Sequence, residues 1–274
     1  TSSPGLPWRE LGYHTKRDVL SDHHAFNNIR WFWHRVKNGE QISPPDCAAY
    51  LRAHIVEQGQ QKVRAVWGYP ATISFMEACF ALPLIEVFKS RRTPIAYGYE
   101  TSLGGCRKIF NRFYGYKNYL SSDFKSFDKT IPAWLIRVAF DILLLNVDLT
   151  AYMNEGVPHT AKLYRAWKYI VDYFINTPIR LCNGERYRKR KGVASGSYFT
   201  QLIDSIVNWI VTQYCVRSQG IHIHDMITFG DDSLVATNIK VDLEALAASA
   251  AEFGMTINAT KTQQSTVLSE LKFL

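Results

Sequence analysis

The chain has 274 residues, of which 47% are hydrophobic and 20% charged, so it can fold around a sizeable core and is not a disordered chain. Its net charge is +8, yet the 54 residues from Ile221 onward hold seven acids and only three bases. A basic body followed by an acidic segment indicates a polyanion-binding surface beside a cation-binding site. A basic protein with no nucleic-acid role is the alternative at this point.

Composition also indicates whether the chain could be a membrane protein, a disulfide-linked protein or a zinc protein. No apolar run is expected to reach the roughly 18 residues that span a bilayer, since the best one, 138–149, is interrupted by two aspartates. The five cysteines are widely spaced and form no CxxC pair, which disfavours a disulfide framework or a zinc site. His23-His24 and the pair His222 and His224 lack partners at zinc spacing, so we expect ordinary histidines there.

The first half of the chain shows few regular patterns. Residues 43–46 are typical of a loop that leads into a helix. Residues 91–117 are basic, rich in Gly and Tyr, and lack clear periodicity. Residues 117–123 have the composition of a short strand that ends on a carboxylate, and Pro132 begins a strongly apolar helix.

A basic run and a long helix follow. Residues 186–191 place five cations in six positions, and the Gly- and Ser-rich turn 192–197 then leads into a helix with an apolar face. A polar row recurs every four residues on another face of that helix: Thr200, Asp204, Asn208 and Thr212. Periodicity alone does not distinguish a stripe of solvent-exposed side chains from a row of functional ones, and both interpretations are equally open.

The acidic segment predicts a hairpin. Residues 226–237 form two β-rich runs around Gly230-Asp231-Asp232, a triplet that suits a tight turn. Asp242 then caps a helix that ends at Gly254, and residues 255–258 form a candidate strand leading to Lys261. This order of elements predicts an antiparallel sheet with helices on one face, an α+β arrangement.

The turn carries two adjacent acids that repel each other unless a cation lies between them. Mg²⁺ takes oxygen ligands, and Asp123, at the end of a separate strand, could supply a carboxylate opposite Asp231 and Asp232. Two metals bridged by carboxylates are a common device for in-line attack at phosphorus. The Gly-Asp-Asp triplet alone is weak evidence for such a metal site. The interpretation therefore depends on the presence of other motifs in the same chain.

Six motifs in order give the chain a resemblance to viral RNA-dependent RNA polymerases. They are a template-entrance loop at 3–7, a basic nucleotide-entry motif at 62–64, DxxxxD at 123–128, SGxxxT…N at 195–208, GDD at 229–233, and a lysine motif at 254–261. The sequences of residues 67–70, 127–130 and 196–201 are most similar to those found in polymerases of partitiviruses and related double-stranded RNA viruses.

The resemblance implies an α+β right-hand polymerase fold with an antiparallel, RRM-like palm sheet and fingers. Its expected divisions are fingers at 1–117, palm at 118–146, a fingers insertion at 147–191, and palm at 192–274. Residues 271–274 resemble the start of a primer-grip motif, so we expect the thumb to be absent and the chain to be part of a longer polymerase.

The implied activity is template-directed RNA synthesis from nucleoside triphosphates for viral replication and transcription. Two Mg²⁺ ions, for which Mn²⁺ can substitute, would be held by Asp123 and Asp231 with weaker help from Asp232. Lys261 would be the general acid that protonates the departing pyrophosphate. The implied partners are RNA template, nascent RNA, nucleoside triphosphates and viral capsid protein, and the implied locations are the virion and the host cytoplasm.

The resemblance also implies residues that bind the nucleotide. Lys62 and Arg64 would clamp the triphosphate. Asp128 and Asn208 would bind the ribose 2′-hydroxyl with help from Ser195, which would reject deoxyribose. Thr200 belongs to the same substrate-binding motif.

Residues that would contact RNA lie in three segments. Ser3 and Gly5 lie in the template-entrance loop, and Arg107, together with Lys108 and Arg112, would line the channel. The basic run would face the template backbone through Arg186, Arg188, Lys189, Arg190 and Lys191. Tyr187 and Tyr198 could stack on template bases.

Two other functions stay open. A reverse transcriptase is disfavoured because Asp128 and Asn208 suit a ribose rather than exclude it. A catalytically silent RNA-binding fragment would keep template affinity without processive synthesis.

Overall fold

The computed structural model describes residues 2–53, 55, 63–152 and 154–273. Over these residues the helices are α1 (Lys16–Ser21), α2 (His23–Asn38), α3 (Ala71–Ser90), α4 (Gly105–Phe113), α5 (Phe127–Thr130), α6 (Ala133–Leu144), α7 (Thr160–Ile175), α8 (Thr200–Arg217) and α9 (Leu243–Ala251). The strands are β1 (Cys47–Ala53), β2 (Val63–Gly68), β3 (Asn118–Ser122), β4 (Pro178–Arg180), β5 (Arg186–Arg188), β6 (Ile223–Phe229), β7 (Asp232–Thr237) and β8 (Gln263–Ser265). Helices beside mostly antiparallel sheets give the predicted α+β class.

The chain forms two compact units. The first comprises Thr1–Ala81, Leu143–Arg190 and Ala194–Tyr198, and the second comprises Leu82–Ile142, Lys191–Val193 and Phe199–Leu274. The division into fingers and palm remains a prediction. Compactness places some boundaries elsewhere, since residues 82–117 group with the second unit.

A four-stranded sheet in the order β2-β1-β4-β5 lies in the first unit. Strand β1 pairs with β2 antiparallel and with β4 parallel, and β4 pairs with β5 antiparallel. Helices α2 and α7 meet through aromatic rings, with Trp33 and Tyr169 edge to face at 5.4 Å. Aromatic burial therefore holds the helices of this unit together.

The segment after residue 46 is a strand, although the loop at 43–46 predicted a helix. Its sequence, Cys47–Ala53, has little β-branched character, but it gains a full ladder with β2 on one side and a short one with β4 on the other. Sheet context therefore overrides local preference here. Helix α4 was also missed, because only Gly105 and Phe113 in it are buried and its exposed face is basic.

The sheet of the second unit runs in the order β6-β7-β3-β8, and all its neighbours are antiparallel. The predicted strand at 117–123 is confirmed as β3, and the predicted hairpin is confirmed as β6 and β7. The strand expected at 255–258 is reduced to one bridge between Phe124 and Ile257, and β8 follows later in the chain.

Helices cover both faces of this sheet, not one face as expected. Helix α8 lies against β6 on one side, where the Thr228 hydroxyl donates to the Ser205 carbonyl at 2.8 Å. On the other side Ile109 and Phe113 of α4 join an apolar cluster with Leu234 of β7. A sheet with two apolar faces needs cover on both, which explains the difference.

The polar row of α8 is buried, so a solvated stripe is wrong for most of its length. Asp204, Asn208 and Thr212 are 7%, 0% and 1% exposed, while Thr200 at the start of the helix is half-buried. Buried polar side chains require hydrogen-bond partners, and those of Asn208 are described with the candidate site.

Helix α3 corrects the expectation that no apolar run reaches membrane-spanning length. Its 20 residues are long and apolar enough to cross a membrane by length and composition, and no other helix in the described ranges passes this test. Less than half of the apolar stretch is buried. The core helix of a folded domain passes the same test, so this is weak evidence for a membrane span.

A mostly buried ion pair joins α4 to β6 in the second unit. The Arg112 guanidinium donates from Nε and Nη2 to the two carboxylate oxygens of Asp225, both at 2.8 Å, and from Nη1 to the Thr93 carbonyl. Arg92 adds a third, exposed contact to Asp225. Arg112 is 8% exposed, so its guanidinium is committed to the fold and not to an RNA channel.

We predict that Arg112→Met destabilises the protein by about 2–3 kcal/mol, because the mostly buried charge of Asp225 would keep only the Met226 N–H and the exposed Arg92 as partners. Burial alone raises the pKa of Asp225, but the bonds and charge of Arg112 lower it below its ordinary value. The contribution should therefore be present above that ordinary value and be lost as the pH falls through the lowered pKa. The measurement is the free energy of unfolding in urea.

The matched control is Lys89→Met, since Lys89 pairs with Glu86 at the surface at 3.2 Å. That pair should contribute no more than about 0.5 kcal/mol. Equal effects of the two substitutions would contradict the assigned role of Arg112.

Candidate active site

The site is built on the turn between β6 and β7. Phe229 pairs with Asp232, so Gly230 and Asp231 form a two-residue turn. Gly230 has a φ of +64°, which glycine adopts without strain. A Cβ at this position would lie 3.0 Å from the flexible end of the Gln201 side chain, a tight contact that a small shift relieves, so conformation rather than space favours glycine.

Helix α8 holds the turn from beneath. The Asn208 side-chain amide donates to the Gly230 carbonyl at 3.0 Å, and the Gly230 N–H donates to the Ser205 hydroxyl at 2.8 Å. The Asn208 Oδ1 in turn accepts a hydrogen bond from Thr212. Both backbone polar groups of Gly230 are thus satisfied by α8 side chains, which fixes the turn.

Strand β3 delivers Asp123 to the same end of the sheet. Ser122 pairs with Ser233, and their hydroxyl oxygens are 2.6 Å apart, so the next residue, Asp123, follows in register beside Asp232. This pairing brings Asp123 to the same end of the sheet as Asp231 and Asp232, while their shared role at a metal stays a prediction.

The Asp123 carboxylate has two partners from the segment before β8. The Asn258 side-chain amide donates to its Oδ2 at 2.8 Å, and the Lys261 amine lies 3.5 Å from the same oxygen. The Asn258 N–H also donates to the Asp123 carbonyl at 2.7 Å. The sequence pattern does not indicate this role of Asn258, since an amide in an irregular segment produces no periodic signal.

The charges of Asp123 and Asp231 both act on the carboxyl group of Asp232. Partial burial raises the pKa of Asp232, the charges of Asp231 and Asp123 raise it further, and Lys261 offsets part of the rise. This mutual repulsion is what a bound cation would relieve. Within the described residues, however, no three His, Cys, Asp or Glu side chains form a ready metal cage.

The other predicted residues of the second unit lie near the ends of its elements. Asp128 is exposed in α5, and its carbonyl accepts from the Val193 N–H at 2.6 Å. Thr200 begins α8, Arg107 is exposed in α4, and Lys191 is exposed. Asn208 differs from the rest, since it is wholly buried and its amide already supports the turn.

Most predicted RNA-binding residues belong to the first unit. Arg186, Arg188 and Arg190 are exposed, and Arg186 pairs with Asp46 at 2.7 Å. Lys189 is half-buried over the Phe174 ring. These positions leave the basic run largely at the surface, as its composition predicted.

The predicted template-entrance loop is partly buried, and most of the predicted nucleotide-entry motif lies outside the described residues. Ser3 is half-buried and Gly5 is buried, with a φ of +66° and a close approach to the Tyr69 backbone. Lys62 and the side chain of Arg64 lie outside the described residues.

The turn at 194–198 holds the exposed Ser195 and has a partner that the sequence did not indicate. Glu77 of α3 is fully buried and accepts hydrogen bonds from the Ser197 hydroxyl at 2.8 Å and the Tyr198 N–H at 3.0 Å. Burial raises the pKa of Glu77 to about 7. In a sequence, a single glutamate within an apolar helix is typical of a surface position. The pattern therefore gives no indication that Glu77 is buried.

We predict that Asn208→Ala lowers the free energy of unfolding by about 1–3 kcal/mol, because the buried Gly230 carbonyl and Thr212 hydroxyl lose their partner. Arg217→Ala, an exposed substitution on the same helix, should change it by less than about 0.5 kcal/mol. Chemical denaturation of both variants tests this, and a neutral Asn208→Ala would exclude the supporting role.

A sequence profile described as viral RNA-dependent RNA polymerase matches residues 1–274. The chain is 30% identical over 243 residues to the RNA-directed RNA polymerase of Cryptosporidium parvum virus 1, covering 86% of this chain and 43% of that protein. It is 28% identical over 262 residues to the RNA-directed RNA polymerase of White clover cryptic virus 1, covering 86% and 40%. The chain thus spans about two fifths of the length of these curated relatives.

A solved structure is similar as well. The crystal structure of the RNA-dependent RNA polymerase of a human picorbirnavirus aligns with a TM-score of 0.65 at 18% identity, covering 81% of this chain and 41% of that one. This likeness supports the right-hand polymerase fold. These relatives confirm the resemblance drawn from the motifs. They also confirm its narrower form, a similarity to partitivirus-like polymerases. The chain belongs to the viral RNA-dependent RNA polymerase family.

Proposed function

We propose that this chain carries out template-directed RNA synthesis from nucleoside triphosphates, with release of pyrophosphate, for viral replication and transcription. Family membership supports the reaction. The observation that carries it is the convergence of carboxylates at one end of the β6-β7-β3-β8 sheet. Asp123 lies 108 positions before Asp231 in the chain, yet both raise the pKa of Asp232 through their charges.

Asp123 and Asp231 would hold two divalent cations, Mg²⁺ with Mn²⁺ as a substitute, and Asp232 would assist. The donor set fits such ions, since it offers carboxylate oxygens whose repulsion a cation relieves. When bound, the cations supply charge neutralisation at phosphate oxygens and a lowered pKa for the attacking 3′-hydroxyl. The fingers and palm of the expected right-hand arrangement are part of the same proposal.

The chain's own residues position these carboxylates. Asn258 orients Asp123 through its amide, and α8 fixes the turn that presents Asp231. Lys261 is 71% exposed and 3.5 Å from Asp123, so the pair is weak and the amine can turn to a departing pyrophosphate. This supports Lys261 as the general acid.

Selection of ribose would rest mainly on Asp128. Its exposed position lets a carboxylate accept a hydrogen bond from the 2′-hydroxyl. Asn208 would have to give up its bond to Gly230 to contact a ligand, so we assign it first to the turn and only then to ribose. Ser195 is exposed and can donate or accept at a nucleotide.

The remaining contacts are proposed from chemistry alone. Lys62 and Arg64 would bind the triphosphate, and the exposed arginines of the basic run would bind template phosphates. Viral capsid protein as a partner, and the virion and host cytoplasm as locations, are part of the proposal.

We predict that Asp231→Asn and Asp123→Asn each reduce nucleotide incorporation by about a thousandfold or more, since each removes charge that stabilises the transferring phosphoryl group. Asp141→Asn, at an exposed acid on α6, is the control and should keep wild-type activity. The assay is Mg²⁺-dependent incorporation of labelled nucleotide on a primed RNA template.

The same assay separates the polymerase from a silent RNA-binding fragment, a candidate because the chain spans only two fifths of its relatives. A wild-type chain that binds template RNA but incorporates nothing, beside an active longer chain, favours the fragment. Residual turnover near wild type in Asp231→Asn contradicts the assigned role of that carboxylate.

We predict that Asp128→Ala lowers the preference for NTP over dNTP by at least about tenfold, because the hydroxyl loses a partner that the deoxy substrate never used. Lys129→Ala, at the exposed neighbouring position, should leave the preference unchanged. Competition between the two substrates measures it, and equal discrimination in both variants would exclude Asp128 from ribose recognition.

A further inference from the structure

Glu77 is a buried carboxylate that none of the polymerase motifs includes. It lies in the middle of α3, an apolar helix, with no exposed surface. Burying an ionisable group costs free energy unless specific partners compensate, so its presence here requires an explanation.

Both hydrogen-bond donors to Glu77 come from one turn. The Ser197 hydroxyl donates to Oε1 at 2.8 Å, and the Tyr198 N–H donates to Oε2 at 3.0 Å. Two bonds to two oxygens fix the orientation of the turn as well as its position. Ser195, two residues earlier, is exposed.

Gly196 of this turn lies close to another segment of backbone. A Cβ on Gly196 would collide with the carbonyl oxygen of Trp67, so the turn lies directly against residues 67–69. The turn therefore contacts residues 67–69 at Gly196 and the Glu77 carboxylate at Ser197 and Tyr198.

The charged and titratable groups around Glu77 come from several elements. Lys16 is a cation whose charge acts on Glu77; its amine donates to Ser74, one turn before Glu77, and lies 5.9 Å from the centre of the Tyr198 ring. Cys47, Tyr69 and Tyr173 also interact electrostatically with Glu77. Lys16 is thus the one group in this set that favours the ionised carboxylate.

We propose that Glu77 is a positioning residue for the turn at 194–198, which it holds in the orientation that presents Ser195 to the incoming nucleotide. The proposal rests on the proposed function, in which Ser195 contacts that nucleotide. Glu77 itself touches no substrate and acts only through Ser197 and Tyr198.

Protonation should weaken this hold. With a pKa raised by burial to about 7, Glu77 ionises near neutral pH. An ionised carboxylate accepts both hydrogen bonds more strongly, so the turn should be held more firmly at about pH 8 than at about pH 6. Stability should change in the opposite sense: a raised pKa favours the folded state below the ordinary value and loses that benefit as the pH rises through 7.

The first test is hydrogen exchange at the backbone amides of 194–200, with wild type and variants compared at the same pH. Glu77→Gln should speed exchange at Tyr198 by about tenfold at about pH 8 and by less at about pH 6. Ser197→Ala, which removes one donor, is the second variant if Glu77→Gln fails to fold. Glu86→Gln, an exposed glutamate of the same helix, is the control and should match wild type.

The second test is the KM for the incoming nucleotide. In Glu77→Gln it should rise about tenfold with a smaller change in kcat, and the wild-type rise in kcat/KM between about pH 6 and about pH 8 should flatten. A purely structural role would lower the fraction of folded protein, and with it the apparent kcat, without changing KM.

Unchanged exchange at Tyr198 in Glu77→Gln would overturn the proposal, as would altered exchange with an unchanged KM and pH profile. A wild-type chain that incorporates no nucleotide would contradict the proposed function. In that case the exchange measurement still decides whether Glu77 holds the turn.

Discussion

The pairing of β3 with β7 is the constraint on which the candidate site depends. Ser122 and Ser233 are buried, paired in register and joined through their hydroxyls. This register sets Asp123 beside Asp232. Because side chains alternate between the two faces of a sheet, a slip by one residue would turn the acids away from each other. Helix α8 adds the second constraint by bonding both polar groups of Gly230, so the acids are held by backbone and helix although their charges repel.

Much of this arrangement follows from local sequence. The run at 117–123 predicts β3, the Gly-Asp pair predicts the hairpin turn, and Asp242 predicts the start of α9, whose amides its carboxylate caps. These features depend on neighbouring residues and on steric or capping rules, so a single sequence contains them. Asp123 and Asp231 both follow strand ends, and family motifs relate them, so their position at one end of the sheet was expected, whereas joint binding of metal stays a proposal.

Other features depend on contacts between distant residues, which local patterns cannot show. β1 is a strand because β2 and β4 pair with it, and α4 is a helix whose buried contacts are few. Helical spacing revealed the polar row of α8 but not that Asn208 supports the Gly230 carbonyl. The role of Glu77 was hidden for the same reason, since its partners lie 120 positions away.

The two-residue turn has a consequence for how such a chain can vary. Gly230 and Asp231 leave no spare residue between paired strands, and α8 occupies both backbone groups of Gly230. An insertion or deletion there cannot be absorbed by a looser loop, because it would displace Asp231 from the end of β3 and break two buried bonds at once. The geometry of this connection therefore tolerates a change in its length less well than a change of side chain, apart from Gly230 with its positive φ.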